Sequence, residues 1–325
     1  MMGRGTMTEL LIQPRDGVAP ILAAIRNART RIEVLIFRFD RDDIEQALLA
    51  AIGRGVQVHA LIAHTNRGGA GQLRKLAQRL LGAGARVDRT GDDFVRYHGK
   101  FMIVDRATLL MFGYNYTRLD IGRSRSFGVV TTSRKTVQDA VKLFEADCAR
   151  HPYSVPWSGG PDGTDGSLVI SPVHARTQLS AFISKAKTQL LIYDPKVSDA
   201  RIIQVLKERI KAGVDVRILG KVGAHGHDLV HQKYPGLRLH VRVVVRDGRH
   251  AFIGSQSLRA RELDKRREVG VFVKDAAIVR EISATFEADW AQTRLGRKQD
   301  EQRDIDGRGV SATSCTASVY APVPL

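Results

Sequence analysis

In residues 97–105, YHGKFMIVD, a histidine and a lysine stand two apart just before the apolar run Phe101-Met102-Ile103-Val104, and Asp105 closes it. Residues i and i+2 of a strand point to the same face, so His98 and Lys100 project together. A second stretch, HVRVVVRD (240–247), repeats the arrangement with His240, Arg242 and Asp247. Two imidazoles and two cations in one cleft suit phosphodiester chemistry. A neutral histidine attacks phosphorus, a protonated one donates to the leaving oxygen, and Lys and Arg neutralise the non-bridging oxygens. Histidine titrates close enough to neutrality for both roles. A lone strand-end histidine is ordinarily a surface or satisfied core residue; the second copy is what argues for chemistry at His98 and His240. Asp105 and Asp247 sit at the opposite strand parity from their histidines. A turn residue ending the strand and a brace for the site both fit that position.

The elements around these stretches are duplicated. ELLIQP (9–14) aligns with SLVISP (167–172), ARTRIEVLI (28–36) with AKTQLLIYD (186–194), and GVQVHAL (55–61) with GVDVRIL (213–219), all at an offset of 158. Beyond an extra segment in the first half the offset is 142. His98 then falls on His240, Asp105 on Asp247, Gly128 on Gly270, and FEAD (144–147) on FEAD (286–289). The extra segment, GQLRKLAQRLLGAG, reads as a helix with Leu73, Leu76, Leu80 and Leu81 on one face. Two copies of this length make two domains, not a solenoid. Within each copy strand and helix patterns alternate. RIEVLIF suits a buried strand, and DDIEQALLAAIGRG suits a helix with an acidic start and closing glycines. The expectation is an α/β fold: a first domain over 1–150, a Pro/Gly-rich linker over 151–167, a second domain over 168–295, and a disordered tail over 296–325.

The paired motifs resemble those of the phospholipase D superfamily, H-x-K-x4-D followed by G-S-x-N. The first copy supplies HGKFMIVD and then FGYNYT (112–117); the second supplies HVRVVVRD and then GSQS (254–257). With the surrounding pattern the resemblance covers about residues 8–293. It implies two duplicated phospholipase D-like α/β/α sandwich domains related by a pseudo-two-fold axis, with no metal or other cofactor required. It also implies a covalent phosphohistidine on one histidine and general acid, then base, action by the other. His98, whose motif keeps the lysine, is the expected nucleophile and His240 the expected acid; the reverse order stays open.

The departures are specific. Arg242 replaces lysine, keeps the charge and adds forked donors. Asn115 matches the family, but Phe112 and Gly113 replace Gly and Ser. Ser257 replaces the second Asn and keeps a hydroxyl. Glu268 stands where the family has a histidine-orienting glutamate. Its counterpart in the first copy is Ser126, which leaves one histidine without an identified partner. The implied catalytic set is His98, Lys100, Asp105, Asn115, His240, Arg242, Asp247, Ser257 and Glu268.

Other groups are weaker. Arg118, Arg123 and Arg125 follow the first motif and suit either a phosphate or a solvated loop. His225, His227 and His231 have spacings a metal site uses, but no acidic or Cys partner lies nearby. HTNRGGAG (64–71) lacks the Lys-Ser/Thr of a nucleotide loop.

The 325 residues carry a net charge of +17, which favours a polyanionic partner. Aromatics are only 6%, without the basic interleaving that stacks single-stranded bases. The two cysteines, Cys148 and Cys315, suggest no disulfide framework, and no apolar run has the length of a membrane span. A cytoplasmic protein, peripheral to an anionic membrane, is expected. The leading expectation is hydrolysis or phosphatidyl transfer on a phospholipid. The rivals are a metal-independent nuclease on nucleic acid and a non-catalytic binder of phosphate surfaces.

Overall fold

The computed structural model describes residues 6–64, 69–153 and 168–302. The first half contains β1 (Thr8–Gln13), α1 (Ala19–Asn27), β2 (Arg31–Ile36), α2 (Asp42–Gly53), β3 (Gln57–Ile62) and α3 (Ala70–Gly82). It continues with β4 (Arg86–Arg89), β5 (Arg96–Tyr97), β6 (Phe101–Val104), β7 (Thr108–Phe112), α4 (Arg118–Gly122), β8 (Ser124–Thr131) and α5 (Arg134–Ala149). The second half contains β9 (Leu168–Ser171), α6 (Ala175–Ser184), β10 (Gln189–Val197), α7 (Ala200–Lys211), β11 (Asp215–Val222), β12 (His231–Gln232) and β13 (Arg238–Leu239). It ends with β14 (Val243–Arg246), β15 (His250–Gly254), α8 (Ala260–Asp264), β16 (Arg266–Val273) and α9 (Ala276–Ala291).

The helices follow their sequence pattern. Both α2 and α7 end on a left-handed glycine, Gly55 at φ 88° and Gly213 at φ 84°. In each, the amides of the glycine and the next residue bond back to the last turn, closing carbonyls that the helix leaves open. Helix α3 buries Leu73, Leu76, Ala77 and Leu80, the i, i+3, i+4, i+7 stripe. Leu81, expected on that face, is 54% exposed because it falls one step off the stripe. Residues 294–302, at the start of the expected tail, are helical, and the Trp290 indole donates to Gln299 at 3.0 Å. The expected linker beyond Tyr153 and the tail beyond residue 302 lie outside the described residues.

Each half forms one mixed sheet. The first runs β1-β8-β7-β6-β2-β3-β4 and the second β12-β11-β10-β14-β15-β16, with β9 on β16. In both, two antiparallel hairpin strands join a parallel pair, β2 with β3 and β10 with β11. Two apolar clusters lie on the outer helix-covered faces, one per domain. A third lies between the sheets. It joins strands of both halves to Val137, Ala140, Leu143 and Phe144 of α5 and Ile278, Ile282, Phe286 and Trp290 of α9. This shared core is what makes the two domains one unit.

The halves also exchange elements. β5 of the first half pairs parallel with β16 of the second, and β13 of the second pairs parallel with β8 of the first. The aspartates of the two FEAD repeats do the same: Asp289 takes Nε and Nη2 of Arg125 at 2.8 and 2.9 Å, and Asp147 takes Nε of Arg267 at 3.1 Å. Every such contact has a counterpart 142 residues on, as a pseudo-two-fold axis requires.

Candidate active site

The exchanged strands deliver the histidines. Directly after β5, the amides of His98 and Gly99 donate to the Arg267 carbonyl of the other domain at 2.7 and 3.1 Å. Directly after β13, the His240 amide donates to the Arg125 carbonyl at 3.1 Å. Each motif histidine is thus pinned to its own sheet on one side and to the partner domain on the other. Both are buried, as are Lys100 and Arg242.

His98 is the more fully constrained. Its Nδ1 lies 2.8 Å from Oε2 of Glu268, a residue with no exposed surface. The Lys100 ammonium is 3.0 Å from both ring nitrogens and donates to the His98 carbonyl at 2.6 Å. Phe37 packs edge-on against the imidazole, centroids 4.7 Å apart. Burial, then Lys100 and Arg242, push the imidazole well below its ordinary pKa, which favours the neutral form. In the tautomer whose Nδ1–H donates to Glu268, Nε2 keeps a lone pair. Burial raises the Glu268 carboxyl while Lys100 works against that, and burial lowers the Lys100 ammonium.

His240 has a looser partner that the sequence reading missed. Its Nδ1 is 3.5 Å from Oδ2 of Asp120, on α4 of the first domain. That is too long for a hydrogen bond, and Nδ1 has no partner among the described residues. Asp120 also accepts from the Asn115 amide group at 2.6 Å and from Arg238 at 2.6 Å. Burial works against its charge, but His240, Asn115 and Arg238 hold its carboxyl below the usual range. In the repeat Ser126 aligns with Glu268, which left the partner of His240 unidentified. The Ser126 hydroxyl donates to the His240 carbonyl at 2.5 Å and so fixes the backbone, not the ring. An acidic residue five positions after Asn115 was the available signal. Burial, then Arg242, lowers His240 well below its ordinary value.

Arg242 donates from Nε to the Ser257 hydroxyl at 3.3 Å, and its buried Nη1 has no partner among the described residues. Below it, buried Asp194 accepts from the Lys196 and Leu258 amides. Burial first, opposed by those bonds and Arg242, leaves its carboxyl at about 6. The other motif's cation is among the charges that lower each histidine, Arg242 for His98 and Lys100 for His240, which places the two motifs within electrostatic reach of each other. A cavity of about 170 Å³ opens beside Asn115 and Asp120, lined also by Arg38, Leu119 and Arg238. Larger clefts lie elsewhere, one of about 750 Å³ around residues 184–188; buried charge, not cavity size, marks this centre.

Several expected site residues are elsewhere. Asp105 and Asp247 lie beyond the far ends of β6 and β14 from the histidines. Asp105 accepts from the amides of Arg29, Thr30 and Arg31 and from the Thr30 hydroxyl; Asp247 does the same for Lys187, Thr188 and Gln189. Both have left-handed backbones, φ 54° and 53°, at the turn. They hold the loop leading into β2 or β10 and do not reach the centre. Arg125 is committed to Asp289, and exposed Arg118 bonds Asp42 at 2.6 Å. Arg123 is exposed at the end of α4. His227 and His231 turn their Nδ1 atoms to the local carbonyls of Ala224 and Leu229, not to a common point.

A duplicated α/β fold in which each half brings a histidine and a cation to one buried centre defines a phospholipase D-like enzyme. The family model "Cardiolipin synthase, PLD-like domain" matches residues 21–148 and 179–290, so the chain belongs to that family. The major cardiolipin synthase ClsA of Bacillus subtilis is 21% identical, over 88% of this chain and 69% of its own length. Cardiolipin synthase 1 of Bacillus cereus is 24% identical, over 93% and 70%. Among solved structures, the phosphatidylserine synthase of Haemophilus influenzae superposes with a TM-score of 0.65 at 12% identity, covering 94% of each chain. The polyphosphate kinase of Porphyromonas gingivalis gives 0.70 at 18% identity, covering 87% of this chain and 50% of its own. At these identities the structural likeness concerns the fold.

Proposed function

We propose that the chain is a phosphatidyltransferase that moves a phosphatidyl group from one phospholipid to an alcohol acceptor through a phosphohistidine on His98. The observation that carries this reading is the asymmetry of the two histidines: Nδ1 of His98 lies 2.8 Å from Glu268, while Nδ1 of His240 lies 3.5 Å from Asp120 and has no hydrogen-bond partner among the described residues. The cardiolipin synthase relatives support a phospholipid as the diester.

In the first step Nε2 of His98 attacks phosphorus. The phosphorus–oxygen bond to the leaving alcohol breaks, and His240 supplies the proton to that oxygen. In the second, an acceptor hydroxyl gives its proton back to His240, its oxygen attacks phosphorus, and the nitrogen–phosphorus bond breaks. Lys100 and Arg242, with its unpartnered Nη1, neutralise the non-bridging oxygens. Burial first, then Arg242, Lys100 and Arg238, depress His240, with Asp120 opposing. A bound phosphodiester anion offsets these cations and brings the imidazole towards the protonated form an acid needs.

Among the described residues no helix is long and apolar enough to cross a membrane. Access to lipid then rests on the basic surface and on apolar side chains such as Leu119, 47% exposed beside the cavity. The test is turnover in excess EDTA with anionic phospholipid vesicles, DNA being offered in parallel, using wild type, His98→Asn and His240→Asn. Transfer or hydrolysis of lipid that both variants lose supports the proposal. Cleavage of DNA alone would move the assignment to a nuclease, and turnover of neither to a binding protein.

A further inference from the structure

On the far side of the first sheet from its outer helices, three side chains of metal-binding chemistry converge away from the catalytic centre. They are His59 on β3, Asp88 on β4 and Cys148 in the last turn of α5, and their donor atoms all lie within 4.8 Å of one another. The His59 Nε2 is 2.7 Å from Oδ2 of Asp88 and 3.7 Å from the Cys148 sulfur. The ring is held edge-on to Phe144 at 4.9 Å, so Nε2 has a fixed aim.

We propose that His59, Asp88 and Cys148 form a binding site for a divalent cation of the zinc class. One nitrogen, one carboxylate oxygen and one sulfur are donors that zinc accepts, at about 2.0–2.3 Å. Tetrahedral edges for such bonds are about 3.3–3.6 Å. The histidine–sulfur separation of 3.7 Å is close to that length, and the histidine–carboxylate contact opens by about half an ångström to admit the ion.

The surroundings point the same way. Glu33, the strand partner of His59, is buried, lines the same cleft of about 450 Å³ and has an oxygen, Oε2, with no partner among the described residues. The ion takes the sulfur as thiolate. Binding therefore releases the thiol proton to solvent, and the His59 proton moves to Nδ1 so that Nε2 can coordinate. The Arg86 guanidinium reaches the same Oδ2 of Asp88 at 3.0 Å, so the ion takes that oxygen by displacing Arg86 or takes Oδ1 after a turn of the carboxylate.

The duplication supplies an internal control. At the equivalent place in the second domain, Arg217 stands for His59 and Trp290 for Cys148, packed as a cation–π pair at 5.7 Å with Glu287 on the guanidinium. The fold therefore fills this gap with an arginine–tryptophan pair in one copy and with a histidine and a cysteine beside a carboxylate in the other.

The experiment is titration of the full chain, stripped with EDTA and desalted, with Co²⁺ and then Zn²⁺ alone. One equivalent of Co²⁺ is expected to give a thiolate-to-metal charge-transfer band with tetrahedral d–d bands, both removed by Zn²⁺. Zn²⁺ is also expected to slow alkylation of Cys148 by at least tenfold. Cys148→Ser and His59→Gln are expected to lose the band, and Cys315→Ser to keep it. Absence of the band in wild type, its persistence in Cys148→Ser, or its loss in Cys315→Ser alone overturns the proposal. Should Cys148→Ser fail to fold, Asp88→Asn and the wild-type alkylation rate decide. None of these readouts depends on phospholipid turnover.

Discussion

His98 and Glu268 stand 170 residues apart in the chain, in different domains, with Nδ1 and Oε2 2.8 Å from each other. The contact sets the proposed nucleophile in place only when the domains are docked. It also selects the tautomer that leaves Nε2 unprotonated. Glu268→Gln keeps the shape but removes the charge and lets the amide turn either way. Turnover is expected to fall about 10²-fold or more with little change in KM, since substrate is held by Lys100 and Arg242. Steady-state kinetics on lipid vesicles check this. A kcat close to wild type would remove Glu268 from the machinery.

The order of the two histidines is open to direct trapping. With a p-nitrophenyl phosphodiester the leaving group needs no proton, so His240→Asn can still load phosphorus onto His98 but cannot activate the acceptor. Intact mass spectrometry is expected to find the covalent adduct in His240→Asn, and peptide mapping to place it on His98. An adduct found instead in His98→Asn, on His240, would reverse the roles.

The motifs were legible because duplication made them so: two loose patterns in register identified His98, Lys100, His240 and Arg242. Strands and helices were legible from periodicity, as in α2 and β2. The misses have physical causes. Asp120 was hidden because the partner of His240 is not at the position equivalent to Glu268; the pseudo-two-fold axis relates backbones, while the two carboxylates approach from different elements. Asp105 and Asp247 belong to the motif but serve the backbone at the far end of the strand. The FEAD repeat was visible, but that Asp147 and Asp289 clasp arginines of the opposite domain needs three-dimensional structure. Leu81 missed the core by a single helical step.

The Lys100 charge is expected to help set the pH range in which His98 is active. Burial is the larger cause of its depressed pKa and the Lys100 charge the next. Replacing Lys100 by Met removes a positive charge, so the His98 pKa rises. The acid limb of the kcat/KM profile, which in wild type lies well below pH 6.5, is expected to move to higher pH, in addition to a lower plateau from weaker phosphate binding. A lower plateau with an unmoved acid limb would mean that His98 does not titrate in that limb.

Arg125 and Arg123 separate a structural from a substrate role. Arg125→Ala strands the buried Asp289 carboxylate, which otherwise holds the guanidinium and the Tyr193 hydroxyl. Removing one partner of a buried pair costs about 3–5 kcal/mol. Denaturant unfolding is expected to show that loss for Arg125→Ala and almost none for Arg123→Ala. Equal stability of the two variants would contradict the clasp.

Asp105 tests whether the last residue of the motif is chemical or architectural. Its carboxylate accepts three amides and one hydroxyl of residues 29–31, and Asp105→Asn keeps one good acceptor oxygen and loses the charge. Charge-assisted bonds to partly buried amides are worth more than neutral ones, so a loss of roughly 2 kcal/mol is expected. Burial opposes the charge, but the amides of Arg31, Thr30 and Arg29 outweigh it and lower the folded pKa. The stabilisation is therefore fully present above the unfolded value of about 4 and is lost as pH falls through the lower folded value. The gap in unfolding free energy between wild type and Asp105→Asn is expected to be constant from pH 7 to about 5 and to close below about 4. The turnover of Asp105→Asn that remains folded is expected to match wild type at neutral pH. A variant that keeps its stability but loses turnover would return Asp105 to the catalytic set.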